Sequence, residues 1–215
     1  MQDIKEYQIW DGVTPKAITS STNATPTVLT VTSHGFSTGD LVQVFGHTTN
    51  TAANGIYKIT VLTSDTFSLQ DYNTGANIAG NGIGGATGNV ISAPKIAVSQ
   101  SFDTAVLDIS TSGTATLTLK VLGSQGKPAS SASNQHGDTP NFGATISSSN
   151  PQTFLQVIDL SDNSSIDGTT GIAATGVDLQ KAYQINIDKM KYLTMCVSAW
   201  TAGAIYAKLT LYKLD

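Results

Sequence analysis

The chain has 215 residues, a third of them threonine (30), serine (22) or glycine (20), with 12% charged, no arginine, and Glu6 as the single glutamate. Surface helices need Glu, Lys and Arg to keep an outer face wet, so this composition excludes a mostly helical protein. A net charge of −4 without arginine removes the electrostatic basis for gripping phosphates, and no apolar run approaches the ~18 residues of a membrane span, so neither nucleic acid nor a membrane is an expected partner.

In chain order, residues 1–17 are expected to be an N-terminal arm or short strand. Asp3 and Glu6 stand where a secretory leader would be basic and then apolar. From residue 18 the pattern becomes strand, turn, strand. Thr27-Val28-Leu29-Thr30-Val31-Thr32 alternates and is β-branched, which suits a half-buried pleated ribbon. Ser33 to Asp40 forms a turn that His34 and Asp40 are expected to brace by hydrogen bonds. Leu41 to Phe45 is a second strand, Asn54-Gly55 a hairpin dipeptide, and Ile56 to Leu62 with Thr66 to Leu69 completes a compact unit over residues 18–72.

Residues 73–94 are rich in glycine and poor in side chains able to fill a core, and predict a linker. Short strands resume at Lys95 to Ser99, Ala105 to Ile109 and Thr114 to Val121, the last with Leu117, Leu119 and Val121 on one face. The polar stretch 123–151 exceeds what a compact domain tolerates without a role. It is expected to be disordered, or a protruding loop that orders against a partner. Phe154 to Leu160 is the next strand, Ser161 to Gly176 is turn-rich, and strands follow at Ala182 to Ile187, Tyr192 to Val197 and Ile205 to Tyr212. Such spacing is the signature of a sandwich, barrel or jelly roll and predicts an all-β chain in two parts.

The chemistry-bearing patterns are weak. Gly80-Asn81-Gly82-Ile83-Gly84-Gly85 matches a dinucleotide fingerprint, but no amphipathic helix follows to hold a pyrophosphate. The histidines His34, His47 and His136 lie in turns or polar loops, and no Gly-x-Ser-x-Gly elbow accompanies them. Asp159, Asp162 and Asp167 lack the EF-hand spacing and read as turn carboxylates. Cys196, the lone cysteine, excludes an internal disulfide and reads as an inert buried thiol. No catalytic residue, cofactor or metal is expected.

Aromatic residues are the remaining signal. Trp10, Tyr192, Trp200, Tyr206 and Tyr212 suit a core or subunit interface, where Tyr and Trp are enriched, better than a sugar-stacking platform. Trp10, Phe142, Tyr192, Trp200 and Tyr206 are the candidate interface residues.

Between residues 27 and 69 the chain resembles a small β-barrel module recurrent in tailed-phage structural proteins. The resemblance rests on His34-Gly35-Phe36, Gly39-Asp40 with Val42 and Val44, Asn54-Gly55-Ile56-Tyr57, and Thr66-Phe67-Ser68-Leu69. Phe36, Tyr57 and Phe67 are expected to plug a barrel too small for an aliphatic core. Residues 95–215 look like the sandwich of phage head-decoration (cement) proteins, through Ala105 to Ile109, the strands around Leu117 and Phe154, Tyr192-Leu193 and the strand at Tyr206.

What the resemblance implies is a non-enzymatic virion protein, made in the host cytoplasm, that binds between major capsid protein subunits as a homo-oligomer, most simply a trimer. A tail-fibre, baseplate or tail-tube component is the alternative, with a carbohydrate-binding adhesin behind it.

Overall fold

The computed structural model describes residues 4–98, 102–124, 152–188 and 190–213; Phe142 and most of the expected loop 123–151 lie outside them. Among the described residues sixteen strands run in chain order: β1 (Ile4–Val13), β2 (Lys16–Ala17), β3 (Ser20–Ser21), β4 (Val28–Thr30), β5 (Leu41–Phe45), β6 (Gly55–Thr63), β7 (Thr66–Asp71), β8 (Asn89–Ser92), β9 (Lys95–Ala97), β10 (Thr104–Ser124), β11 (Gln152–Phe154), β12 (Val157–Asp159), β13 (Ser165–Ile166), β14 (Ile172–Val177), β15 (Gln180–Asn186) and β16 (Tyr192–Tyr212). One turn of 3₁₀-helix, Thr51–Ala53, is the helical element among the described residues. The fold is all-β and antiparallel. It divides into a unit spanning 15–94 and a second unit that joins residues 4–14 to the described residues from 95 onward.

In the first unit seven strands form one sheet in the order β2-β8-β5-β6-β7-β4-β3. Residues 16–21 close it into a barrel, because β2 pairs with β8 at one edge while β3 pairs with β4 at the other. Ile18 N donates to Gly88 O and Thr19 N to Thr30 O across this seam. Leu29, Val31, Val42, Val44, Ile59, Leu69 and Val90 fill the interior with Tyr57 and Phe67. This corrects the expected aromatic plug: the core is chiefly aliphatic, and Phe36 is half-buried beside it.

The stretch 73–94 is not a linker. It supplies β8, pairs Gly84 with Ser21 and sends Ile78 N to Leu69 O. Its glycine content has a packing cause: a Cβ on Gly84 would stand 2.1 Å from the His47 ring.

The second unit is a nine-stranded sheet built on two 21-residue strands, β10 and β16, paired from Thr104↔Tyr212 to Ser124↔Tyr192. Each had read as two separate strands. Near the Tyr212 end their odd-numbered residues are buried, with Leu107 opposite Leu209. Past the corner the register shifts set Leu117 opposite Trp200 and leave Ala199 and Thr201 exposed, before Leu119 opposite Val197 and Val121 opposite Met195 resume the buried face. β1 flanks the Tyr212 end of β16 and β9 its Tyr192 end. On the far side of β10 lie β15, β14 and β11, and β12 and β13 continue outward from β15. β14 falls inside the region expected to be turns.

The sheet is curled. A straight strand would hold Tyr192 and Tyr212 about 66 Å apart. Yet Val98 N bonds Lys191 O and Asp103 N bonds Tyr212 O, and the five residue steps from 98 to 103 reach at most ~18 Å. The bend sits where Ser112↔Ala204 gives way to Thr116↔Ala202, three residues of β10 facing the single Gly203 of β16. Gly113 (φ 68) and Gly203 (φ 88) supply the left-handed backbone this corner requires.

Candidate functional site

Between Thr104 and Ser112 on β10 and between Ala204 and Tyr212 on β16 the odd positions face the core, which leaves Asp108, Ser110, Tyr206 and Lys208 for the outer face. Register sets them in rows. Gln8, Lys208, Asp108 and Ala182 lie abreast across β1, β16, β10 and β15. Tyr206, Ser110 and Gln180 form the next row. Together they line an open groove of about 420 Å³. Tyr206 is 37% exposed. Its ring lies against Gly12, where a Cβ would come within 3.1 Å of the phenolic oxygen.

The cations around the groove are tied back. Lys208 Nζ contacts Glu6 Oε1 at 2.8 Å and Lys181 Nζ contacts Asp159 Oδ2 at 2.6 Å. Each hydrogen bond raises its ammonium above the ordinary lysine value. The Asp159 carboxyl is held down at about 2, first by the Lys181 hydrogen bond and then by the Ser161 hydroxyl and backbone N–H. Gln8 Nε2 donates to Trp10 O at 2.7 Å and to Ala207 O at 3.3 Å, which leaves its amide oxygen as an acceptor.

The structure does not gather the sequence-predicted aromatic residues into one site. Trp10 is 1% exposed. A bulge at Ile9 shifts the register from Gln8↔Lys208 to Trp10↔Ala207 and turns the indole inward, so it is a core residue of this fold. Trp200 is half-buried and donates from Nε1 to Gly203 O at 3.0 Å, bracing the corner. Tyr192 is half-buried at the other end of β16, opposite Ala97 and Ser124. Of the candidates among the described residues only Tyr206 reaches the groove. Gln8, Asp108, Gln180 and Lys208 were missed; alternation marks 108 and 208 as outward, but the pairing that sets them abreast is not a local signal.

The turn carboxylates act locally. Asp162 accepts from Ser164 N, and Asp167 accepts from the backbone and hydroxyl of Thr169. In the barrel, His34 and Asp40 brace their turn as expected: His34 Nδ1 accepts from Phe36 N at 3.0 Å and Asp40 Oδ2 accepts from Ser37 N at 2.8 Å. With Nδ1 an acceptor, the His34 proton sits on Nε2 and donates to Thr63 O.

No family model matches the sequence, and no curated protein is significantly similar to it. Among solved structures, the SPBc2 prophage-derived protein YomS is similar over 55% of this chain and 78% of its own, with 12% identity and a TM-score of 0.34. At that TM-score the likeness does not define a shared fold.

Proposed function

We propose that this chain is a non-enzymatic structural protein of a tailed-phage virion, which decorates the head and cements neighbouring major capsid protein subunits as a homo-oligomer, most simply a trimer. One observation carries the reading. The residues that resemble the phage barrel module are the working parts of one closed barrel. His34 stacks on Phe36 at 5.6 Å and meets the Phe67 ring edge-on at 5.2 Å. Gly35 and Gly39 take positive φ at the turn. Tyr57, buried, donates to the carbonyls of Ala52 and Asn54.

In this reading the curled sheet supplies the subunit contacts. The test is to mix purified protein with expanded, undecorated heads. Retention on the shell together with increased heat resistance supports cementing. Failure to bind, or antibody labelling on the tail instead of the head, overturns it.

A further inference from the structure

The groove on the outer face of the curled sheet has a chemistry that the cementing role leaves unused. Its floor is four paired strands, so its side chains stand on rigid backbone and need little reorganisation to meet a ligand. One wall carries an exposed aromatic ring, Tyr206, seated on the bare backbone of Gly12. Around it stand Gln8, Asp108, Ser110 and Gln180, which together offer amide, hydroxyl and carboxylate groups and therefore both donors and acceptors.

Charge decides the ligand class. Both lysines that line the groove, Lys181 and Lys208, direct their ammonium groups to carboxylates outside its lining, Asp159 and Glu6. A phosphate or acidic peptide would find those cations already engaged. A basic ligand would meet Asp108 with Lys208 in the same row. A ligand without charge, carrying many hydroxyls that both donate and accept, matches what remains. Its flat C–H face suits the aromatic ring, and its vicinal hydroxyls suit the two oxygens of one carboxylate.

We infer that this groove binds a short segment of neutral oligosaccharide, stacked on Tyr206 and hydrogen-bonded by Asp108, Gln180 and the Gln8 amide oxygen. The volume of about 420 Å³ lies within the range of small-ligand sites. The open form of the groove lets a longer glycan run through it. This inference is independent of the capsid reading, since a groove on one sheet can hold a sugar whatever the chain is attached to.

The test uses the full chain, isotopically labelled, titrated with cellobiose, maltose, lactose and N,N′-diacetylchitobiose, and with sialyllactose as the charged counterpart. At least one neutral disaccharide should shift the backbone amides of residues 8, 108, 180 and 206 with a Kd on the order of 1 mM. Tyr206→Ala should weaken that binding about tenfold. Asp108→Asn, nearly isosteric, should weaken it several-fold with the amide spectrum otherwise intact, and decides the matter if the tyrosine variant does not fold. Leu62→Ala in the barrel should leave it unchanged. The inference is overturned if no neutral sugar perturbs these amides, if the shifts map to the barrel, if only sialyllactose binds, or if both groove variants bind as the parent does.

Discussion

The phenolic hydroxyl of Tyr7 donates to the carbonyl oxygen of Ala97 at 3.0 Å, ninety residues away in the chain. Tyr7 lies on β1 opposite Leu209, and Ala97 on β9 opposite Tyr192, so this bond joins strands held at opposite ends of β16 and latches the curl. The bond is exposed, which places its worth at the low end for a hydrogen bond. Tyr7→Phe should lower unfolding free energy by about 0.5–1 kcal/mol and speed amide exchange in β9 more than in β5. Denaturant titration and hydrogen exchange check both.

The corner at Gly203 should be far less tolerant than its neighbour at Gly113. A Cβ on Gly203 would stand 2.8 Å from the Ala115 Cβ at a φ of 88°, whereas Gly113, at φ 68°, has open space around it. Gly113→Ala should cost only the left-handed strain, about 1–2 kcal/mol. Gly203→Ala adds overpacking and should cost about 2–5 kcal/mol. Equal melting temperatures for the two variants would contradict a packed corner.

Cys196 is fully buried on β16 opposite Lys120, and burial pushes its thiol up to about 12. Since the thiolate is the reactive form, the folded protein should give no measurable reaction with a disulfide reagent at pH 8. One equivalent of thiol should appear on unfolding in denaturant.

Acid should expose the Asp159–Lys181 pair. The Asp159 carboxyl is held at about 2 in the fold and returns to about 3.9 when unfolded. Its contribution is therefore complete above roughly pH 4 and is lost as pH falls towards 2. Asp159→Asn should be less stable at neutral pH, with a smaller loss between pH 4 and 2, as thermal melts across that range will show.

His47 titrates in a separate window. It is 2% exposed in the barrel, its Nε2 has no hydrogen-bond partner, and burial lowers its pKa. The unfolded chain takes up the proton first, so stability is complete above about pH 6.5 and declines as pH falls below it. Replacing His47 with Gln should flatten melting temperature between pH 7 and 5, where the contribution of Asp159 is constant.

Local pattern made much of this fold legible. Leu41–Phe45 is a strand at its expected bounds, and Leu117, Leu119 and Val121 share the buried face that alternation assigned them. Two of the failures share a cause, which is that glycine has two meanings. Gly113 and Gly203 lie in the gaps between the expected strands, yet their positive φ bends a ladder that runs on past them. Gly84 reads as slack chain, yet its missing side chain is what lets the backbone lie against His47. Composition reports the absence of a side chain and not the neighbour that forbids one. The groove was hidden for a related reason: residue 8, the 108–110 region, 180 and the 206–208 region become neighbours only through pairing register, and a bulge at Ile9 decided which way Trp10 turned.

β2 and β8 bring Lys16 beside Val90 and Ala17 beside Asn89, so the chain threads into the barrel and out of it one strand spacing apart, about 4.8 Å. A segment with such juxtaposed ends behaves as a cassette. Recombination can gain it, lose it or exchange it for another domain at a single graft point, and the surrounding ladder keeps its register. The same point offers a natural socket for displaying a foreign domain.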